Sequence, residues 1–105
     1  MPDLKKRVAR IARFAAEMEL AGLQDTYEAA HARLAMETAA TIATRRKMLE
    51  NHELKPLADP KRQAAADQSF VDAANKLCQG LEELLVKYAQ SDNAQKKKLA
   101  AMWNK

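Results

Sequence analysis

Glu28 and His31 are the first pair of residues in this sequence whose types and spacing could do chemistry together. They form the pattern Glu-x-x-His, with which helical bundles hold two metal ions between carboxylates and imidazoles. Such a centre needs two copies of the pattern and two more carboxylates, and the chain has only one other histidine, His52. A symmetric dimer could double the pattern, but the facing stripe is apolar. We therefore expect a capping acid and a histidine at the rim of the core, with no metal site and no cofactor.

The other reactive side chains also have structural explanations. His52 follows the second predicted helix, where an imidazole can bond the last carbonyls and complement the helix dipole. Cys78 falls in an apolar column of the third helix, which predicts a buried and unreactive thiol. Two glycines in 105 residues leave no glycine-rich loop for a phosphate. No nucleophile and base can be paired from these residues, so we predict a protein that is not an enzyme.

The positive charge of the chain is concentrated at its start. Residues 1–16 contain five cations and one acid, Asp3, and therefore account for the whole net charge of +4. On a helical wheel four of these cations lie on one face, away from the apolar stripe that begins with Leu4 and Val8. Cations at a helix N-terminus oppose the helix dipole. This placement predicts an outward basic face for an anionic partner.

A second basic group, residues 45–47, lies late in the second helix. If the first two helices are antiparallel, both groups meet at one end of the bundle and could bind phosphates in a salt-dependent way. There is no helix-turn-helix spacing, and no aromatic residue alternates with the basic runs to stack on bases. Any nucleic-acid binding would therefore be non-specific. The predicted anion-binding residues are Lys5, Lys6, Arg7, Arg10, Arg13, Arg45, Arg46 and Lys47.

The elements that carry these residues are helices. Apolar residues recur at helical spacing over residues 3–21, 25–51, 60–90 and 93–103, and strand patterns are absent. Gly22 predicts a left-handed helix end, Asp25 is the predicted cap of the second helix, and Asp59 with Pro60 predicts the start of the third. The sequence predicts an all-α fold: an antiparallel helical bundle of three long helices plus a short C-terminal helix, forming a single domain over residues 1–105.

The third helix has an apolar face too wide for a single neighbour, so we expect it at the centre of the core. The second helix has a weaker inward stripe, in which small residues permit close helix approach. It is predicted to contain Tyr27, Leu34, Thr38, Ile42 and Leu49, padded with Ala35 and Ala39. The first and fourth helices are too short to cover their neighbours from end to end. An apolar patch should stay uncovered, available to a second copy or to a partner helix.

These features predict a small, non-enzymatic helical interaction protein: an adaptor, regulator or assembly accessory that docks helices. Its partner would be itself, as a homodimer, or another helical protein. The predicted partner-binding residues are Val71, Leu85, Leu99, Met102 and Trp103. An exposed Trp103 would be a typical interface anchor, although it could equally cap the open end of the core. The alternative function is a nucleic-acid-binding accessory protein that contacts phosphates through the basic face.

Composition also bears on the location of the protein. A single cysteine fits a reducing compartment, and no apolar run approaches the roughly 18 residues of a membrane span. The Arg-rich, amphipathic first 18 residues resemble a mitochondrial presequence, but they include Asp3 and lack serine. We therefore expect a cytoplasmic protein of bacterial or phage origin, and we consider attachment to a membrane surface a less favoured alternative.

Overall fold

Four helices follow one another in the computed structural model, which describes residues 3–105. The bounds are Leu4–Leu20 for α1, Tyr27–Glu50 for α2, Pro60–Ala89 for α3 and Ala94–Trp103 for α4. The described residues contain no strand. The predicted fold class, three long helices and a short C-terminal helix packed against one another, is confirmed.

Neighbouring helices run antiparallel. The start of α2 contacts the end of α3, where the Tyr88 hydroxyl donates a hydrogen bond of 2.7 Å to Glu28. The end of α2 contacts the start of α3 through an ion pair of Arg46 with Asp67. Helix α1 runs alongside with its first residue, Leu4, beside the second half of α2, and α4 turns back over α3 and α1. Because α2 and α3 are the longest helices, the molecule is elongated, with extents of 54 × 25 × 19 Å.

The turn between α1 and α2 is fixed by local hydrogen bonds. Gly22 has φ +75°, as its position after the helix predicts, and the N–H of Leu23 donates to the carbonyl of Met18 at 2.8 Å. The cap of α2 is Thr26 rather than the predicted Asp25, because the Thr26 hydroxyl accepts from the N–H of Ala29 and donates to the carbonyl of Leu23.

The connection between α2 and α3 repeats the same helix end without a glycine. His52 has φ +61°, and the N–H of Glu53 donates to the carbonyl of Met48 at 2.9 Å. The backbone N–H of His52, rather than its side chain, bonds the carbonyl of Leu49. Helix α3 begins as predicted, with the Asp59 carboxylate accepting from the N–H of Lys61 at 2.9 Å.

Helix α3 lies at the centre of the core, as predicted, and contacts all three other helices. The largest fully buried side chains come from α1, α3 and α4. They are Ile11, Phe14, Met18, Leu81, Leu85 and Leu99. Because Cys78 is buried among them, the burial predicted for its thiol is confirmed, and burial raises its pKa. The thiol is therefore held in its protonated form.

The predicted inward stripe of α2 is wrong at two positions. Tyr27 is 70% exposed and Leu34 is 51% exposed, whereas Ile42 is buried as expected. The other buried residues of α2 are alanines, namely Ala29, Ala32 and Ala35, of which Ala35 belongs to the predicted stripe. Small side chains let α2 approach α1 and α3 closely, and the large side chains of those two helices fill the space between them.

Candidate functional site

Arg7 does not belong to an outward basic face. Its guanidinium binds Glu82 of α3 through two hydrogen bonds, from Nη2 at 2.8 Å and from Nε at 3.2 Å, and it also donates to Asn75 at 3.0 Å. The guanidinium fork matches the carboxylate, so this arginine ties α1 to α3. The prediction that Arg7 meets an anionic partner is therefore wrong.

Arg10 and Arg13 bind the C-terminal end of α4. Arg13 donates to the carbonyl of Trp103 at 2.9 Å and to the carbonyl of Lys105, and Arg10 donates to the Trp103 carbonyl at 3.3 Å. The last carbonyls of a helix lack partners within it and carry the negative end of its dipole. Arg10 and Arg13 thus complement the dipole of α4. Both residues are exposed, as the predicted outward face requires, but they are hydrogen-bonded to this chain; their binding to an anionic partner stays a prediction.

Trp103 caps the core instead of extending from it. It is 3% exposed, its ring meets that of Phe14 edge to face at 5.6 Å, and the Arg10 guanidinium lies 4.0 Å from its ring centroid. Leu99 and Met102 are buried beside it. The prediction that these three residues form an exposed anchor is wrong, because α4 turns them inward.

Leu85, another predicted docking residue, is fully buried, so that prediction is wrong as well. Its column on α3 lies beneath the neighbouring helices.

Together, Phe14, Arg10, Arg13 and Trp103 form what we name the closed end of the bundle.

An open apolar groove lies where α1 begins and α2 and α3 continue beyond it. Its volume is about 590 Å³. Eight apolar residues line it: Leu4, Val8, Met36, Ala39, Ala40, Ile42, Ala43 and Val71. The remaining lining residues are Asp3, Lys5 and Arg46. We name this surface the α1–α2 groove. Of the five predicted partner-binding residues, only Val71 lines it.

The charged residues of the groove bring the two predicted basic groups together at Lys5 and Arg46. Arg46 donates to Asp67 from Nε at 2.9 Å and from Nη2 at 2.6 Å, and these bonds hold the pKa of Asp67 below its usual value. Lys5 is exposed and forms no ion pair within residues 3–105. Asp3 is occupied as the cap of α1, since its carboxylate accepts from the N–H of Lys5 at 3.0 Å.

The other predicted cations lie around this end without forming one surface. The Arg45 guanidinium stacks 4.3 Å from the ring centroid of Phe70. Lys6 and Lys47 are exposed and form no ion pair in the described part of the chain. The predicted cluster of eight cations is thus divided, because three of its arginines bind groups inside the bundle.

Glu28 and His31 join α2 to α3 and make separate contacts. The Tyr88 hydroxyl donates to Glu28, and together with desolvation this carboxylate raises the pKa of Tyr88 to about 12. His31 Nε2 donates to the carbonyl of Leu77 at 2.9 Å, beside Gly80. A Cβ at Gly80 would lie 3.3 Å from the imidazole, so this glycine gives the ring its room. Over residues 3–105, no three histidine, cysteine or acidic side chains gather as metal ligands would.

Comparisons with protein-family models, with curated proteins and with solved structures found no match for this chain. A functional proposal for this chain therefore rests on the geometry of the groove and of the closed end. Among the helices of residues 3–105, none combines the length and the apolar character that crossing a bilayer requires.

Proposed function

We propose that this chain is a small helical interaction protein, without enzymatic activity, that docks a helix of another chain in the α1–α2 groove. The observation that supports this proposal most is the contrast between the groove and the rest of the core. At the closed end a tryptophan covers the apolar interior, whereas at the groove eight apolar residues line an opening of about 590 Å³. An amphipathic helix laid into a groove would bury such a surface.

The shape of the bundle supports a helix as the docked element. Helix α1 has 17 residues, while α2 has 24 and α3 has 30. Leu4 lines the same opening as Arg46 and Val71, so the last turn of α2 and the first turns of α3 extend past the start of α1. A helix placed in line with α1 would continue the same packing against α2 and α3. A protein of this kind acts as an adaptor, regulator or assembly accessory, and we propose the cytoplasm as its location because Cys78 is an unpaired thiol.

Nucleic-acid binding has less support than it had from the sequence. Arg7, Arg10 and Arg13 bind groups within the bundle, and Arg46 is paired with Asp67. The cations that stay available are spread around an apolar opening instead of forming a continuous basic surface. Phosphate contacts alone would leave that apolar opening uncovered.

A displayed library of helical peptides with an apolar stripe and randomised polar positions tests the proposal. The variant with Ala40→Gln and Ala43→Gln places two longer side chains in the groove from exposed positions of α2. The matched control, with Ala30→Gln and Ala73→Gln, makes the same changes at exposed positions that do not line it. We expect the wild type to enrich peptides that bind the control but not the groove variant. A selection without any such groove-dependent peptide, together with a monomer at all concentrations in sedimentation, would contradict the proposed function.

A further inference from the structure

We infer that the partner helix is acidic and amphipathic, with apolar side chains in the α1–α2 groove and carboxylates against Lys5 and Arg46. This inference rests on the proposed function and adds the chemistry of the partner. It joins two features of the same opening: an apolar interior, and cationic side chains at Lys5 and Arg46.

The interior of the groove suits a few aliphatic or aromatic side chains presented by a helix. A volume of about 590 Å³ lies within the range of pockets that bind ligands, roughly 300–1,000 Å³. Helices that dock in grooves insert side chains spaced three, four and seven residues apart. The apolar lining of the groove comes from all three long helices, with Leu4 from α1, Ile42 from α2 and Val71 from α3.

The electrostatics of the opening favour carboxylates on that helix. Lys5 is exposed and forms no ion pair within the described residues. Arg46 uses Nε and Nη2 for Asp67, and its Nη1 donates no hydrogen bond within residues 3–105, so a second acceptor can bind there. Two cations line the groove against one acid, Asp3, whose carboxylate also caps α1. The positive end of the α1 dipole adds to the same attraction.

A second copy of this chain fits the opening less well. A two-fold pairing across the groove would bring Lys5 and Lys6 of one copy towards those of the other, and like charges facing one another oppose association. Each copy also carries a net charge of +4. Duplex DNA would satisfy the cations, but it has no apolar side chains with which to fill the interior.

The charge of the selected peptides tests the inference. Peptides from the library described above that depend on the groove should carry net negative charge, and their affinity should fall as salt increases. Binding of an enriched peptide should weaken about tenfold when Lys5→Glu and Arg46→Glu are combined. The control with Lys76→Glu and Lys97→Glu changes two exposed cations outside the groove and should bind the peptide as well as the wild type does.

Because Arg46→Glu also removes the ion pair with Asp67, Lys5→Glu alone serves as a second variant that keeps this pair. Lys5→Glu alone should also weaken the binding of the acidic peptide. Thermal melting of each variant shows that the bundle is folded.

The outcomes distinguish the inference from the proposed function. Groove-dependent peptides that are neutral or basic would overturn the acidic partner and leave helix docking standing. Self-association abolished by the groove variant, or displacement of a peptide by duplex DNA, would also overturn it. Failure to enrich any groove-dependent peptide would overturn the inference, and together with a monomer at all concentrations in sedimentation it would overturn the proposed function as well.

Discussion

The closed end and the α2–α3 contact next to the groove each have an arginine stacked on an aromatic ring, but the two rings differ in burial. Arg10 lies 4.0 Å from the ring centroid of Trp103, and Arg45 lies 4.3 Å from that of Phe70. Arg45 and Phe70 adjoin the groove residues Arg46 and Val71 in sequence. Trp103 is buried, whereas Phe70 in α3 is half-buried. Residue types alone therefore do not separate a structural contact from an available surface; the length of the covering helices does.

The ion pairs show the same difference. The side chains of Arg7 and Glu82 are 19% and 26% exposed, and those of Arg46 and Asp67 are 55% and 35% exposed. Water and salt screen the second pair more strongly. The charge on Arg7 is thus held between α1 and α3, while the charge on Arg46 stays more accessible to solvent.

The largest effect should follow from removing the cap of the closed end. Trp103→Ala is expected to lower the free energy of unfolding by about 3–5 kcal/mol, because it leaves a cavity and removes the contacts of the ring with Phe14 and Arg10. Leu57→Ala, at an exposed apolar residue of the α2–α3 connection, is the control. It should change the free energy of unfolding by less than about 0.5 kcal/mol. Urea unfolding measures both, and similar losses would show that the tryptophan does not close the core.

The two ion pairs should differ in their coupling energies. A double-mutant cycle with Arg7→Ala and Glu82→Ala should give about 1–2 kcal/mol, because the pair is half-buried and bidentate. The cycle for Arg46 and Asp67 should give about 0.2–0.5 kcal/mol because that pair is exposed. Both coupling energies are measured by urea unfolding at low salt. Equal values would show that the two ion pairs do not differ in strength.

A pH titration should locate the contribution of Tyr88. Its pKa is raised from 10 to about 12, so the stabilisation that this hydroxyl provides is complete below pH 10 and is lost as the pH rises towards 12. Tyr88→Phe should cost about 1 kcal/mol at neutral pH by removing the hydrogen bond to Glu28. The difference between wild type and variant in the free energy of unfolding should then disappear between pH 10 and 12.

Val86→Ala provides the control for this titration, because Val86 is an exposed residue of the same helix and its side chain has no titratable group. It should leave the pH dependence between 10 and 12 unchanged. If the difference in the free energy of unfolding between wild type and Tyr88→Phe stays constant through pH 12, the hydroxyl does not titrate in this contact.

The fold was predictable because it depends on local signals. Asp59 with Pro60, and Gly22 after α1, mark helix ends through backbone chemistry that needs no tertiary information. The wide apolar face of α3 likewise predicted a central helix. The α2 stripe was not predictable from hydrophobicity, since a helix packed through Ala29, Ala32 and Ala35 buries its smallest residues and leaves Tyr27 exposed.

The proposed docking surface was predictable only in part. The unequal helix lengths predicted an uncovered apolar patch, but its position depends on where α1 starts relative to α2 and α3. The sequence also could not show that Arg10 and Arg13 meet the end of α4, because that contact joins residues about 90 positions apart. A cationic run is the same in sequence whether its partner is inside or outside the molecule.

The smallest effects should come from the two turns, which end α1 and α2 with the same hydrogen-bond pattern but different residues. Gly22 has φ +75° and no atom lies within 4 Å of the position of its Cβ, so Gly22→Ala should lower the free energy of unfolding by about 1 kcal/mol through backbone strain alone. His52 already bears that strain at φ +61°, and His52→Gly should raise the stability by about 0.5 kcal/mol. Urea unfolding of both variants measures these changes. Loss of stability in His52→Gly would mean that the imidazole makes a stabilising contact in the α2–α3 connection, and this connection would then be more than a strained turn.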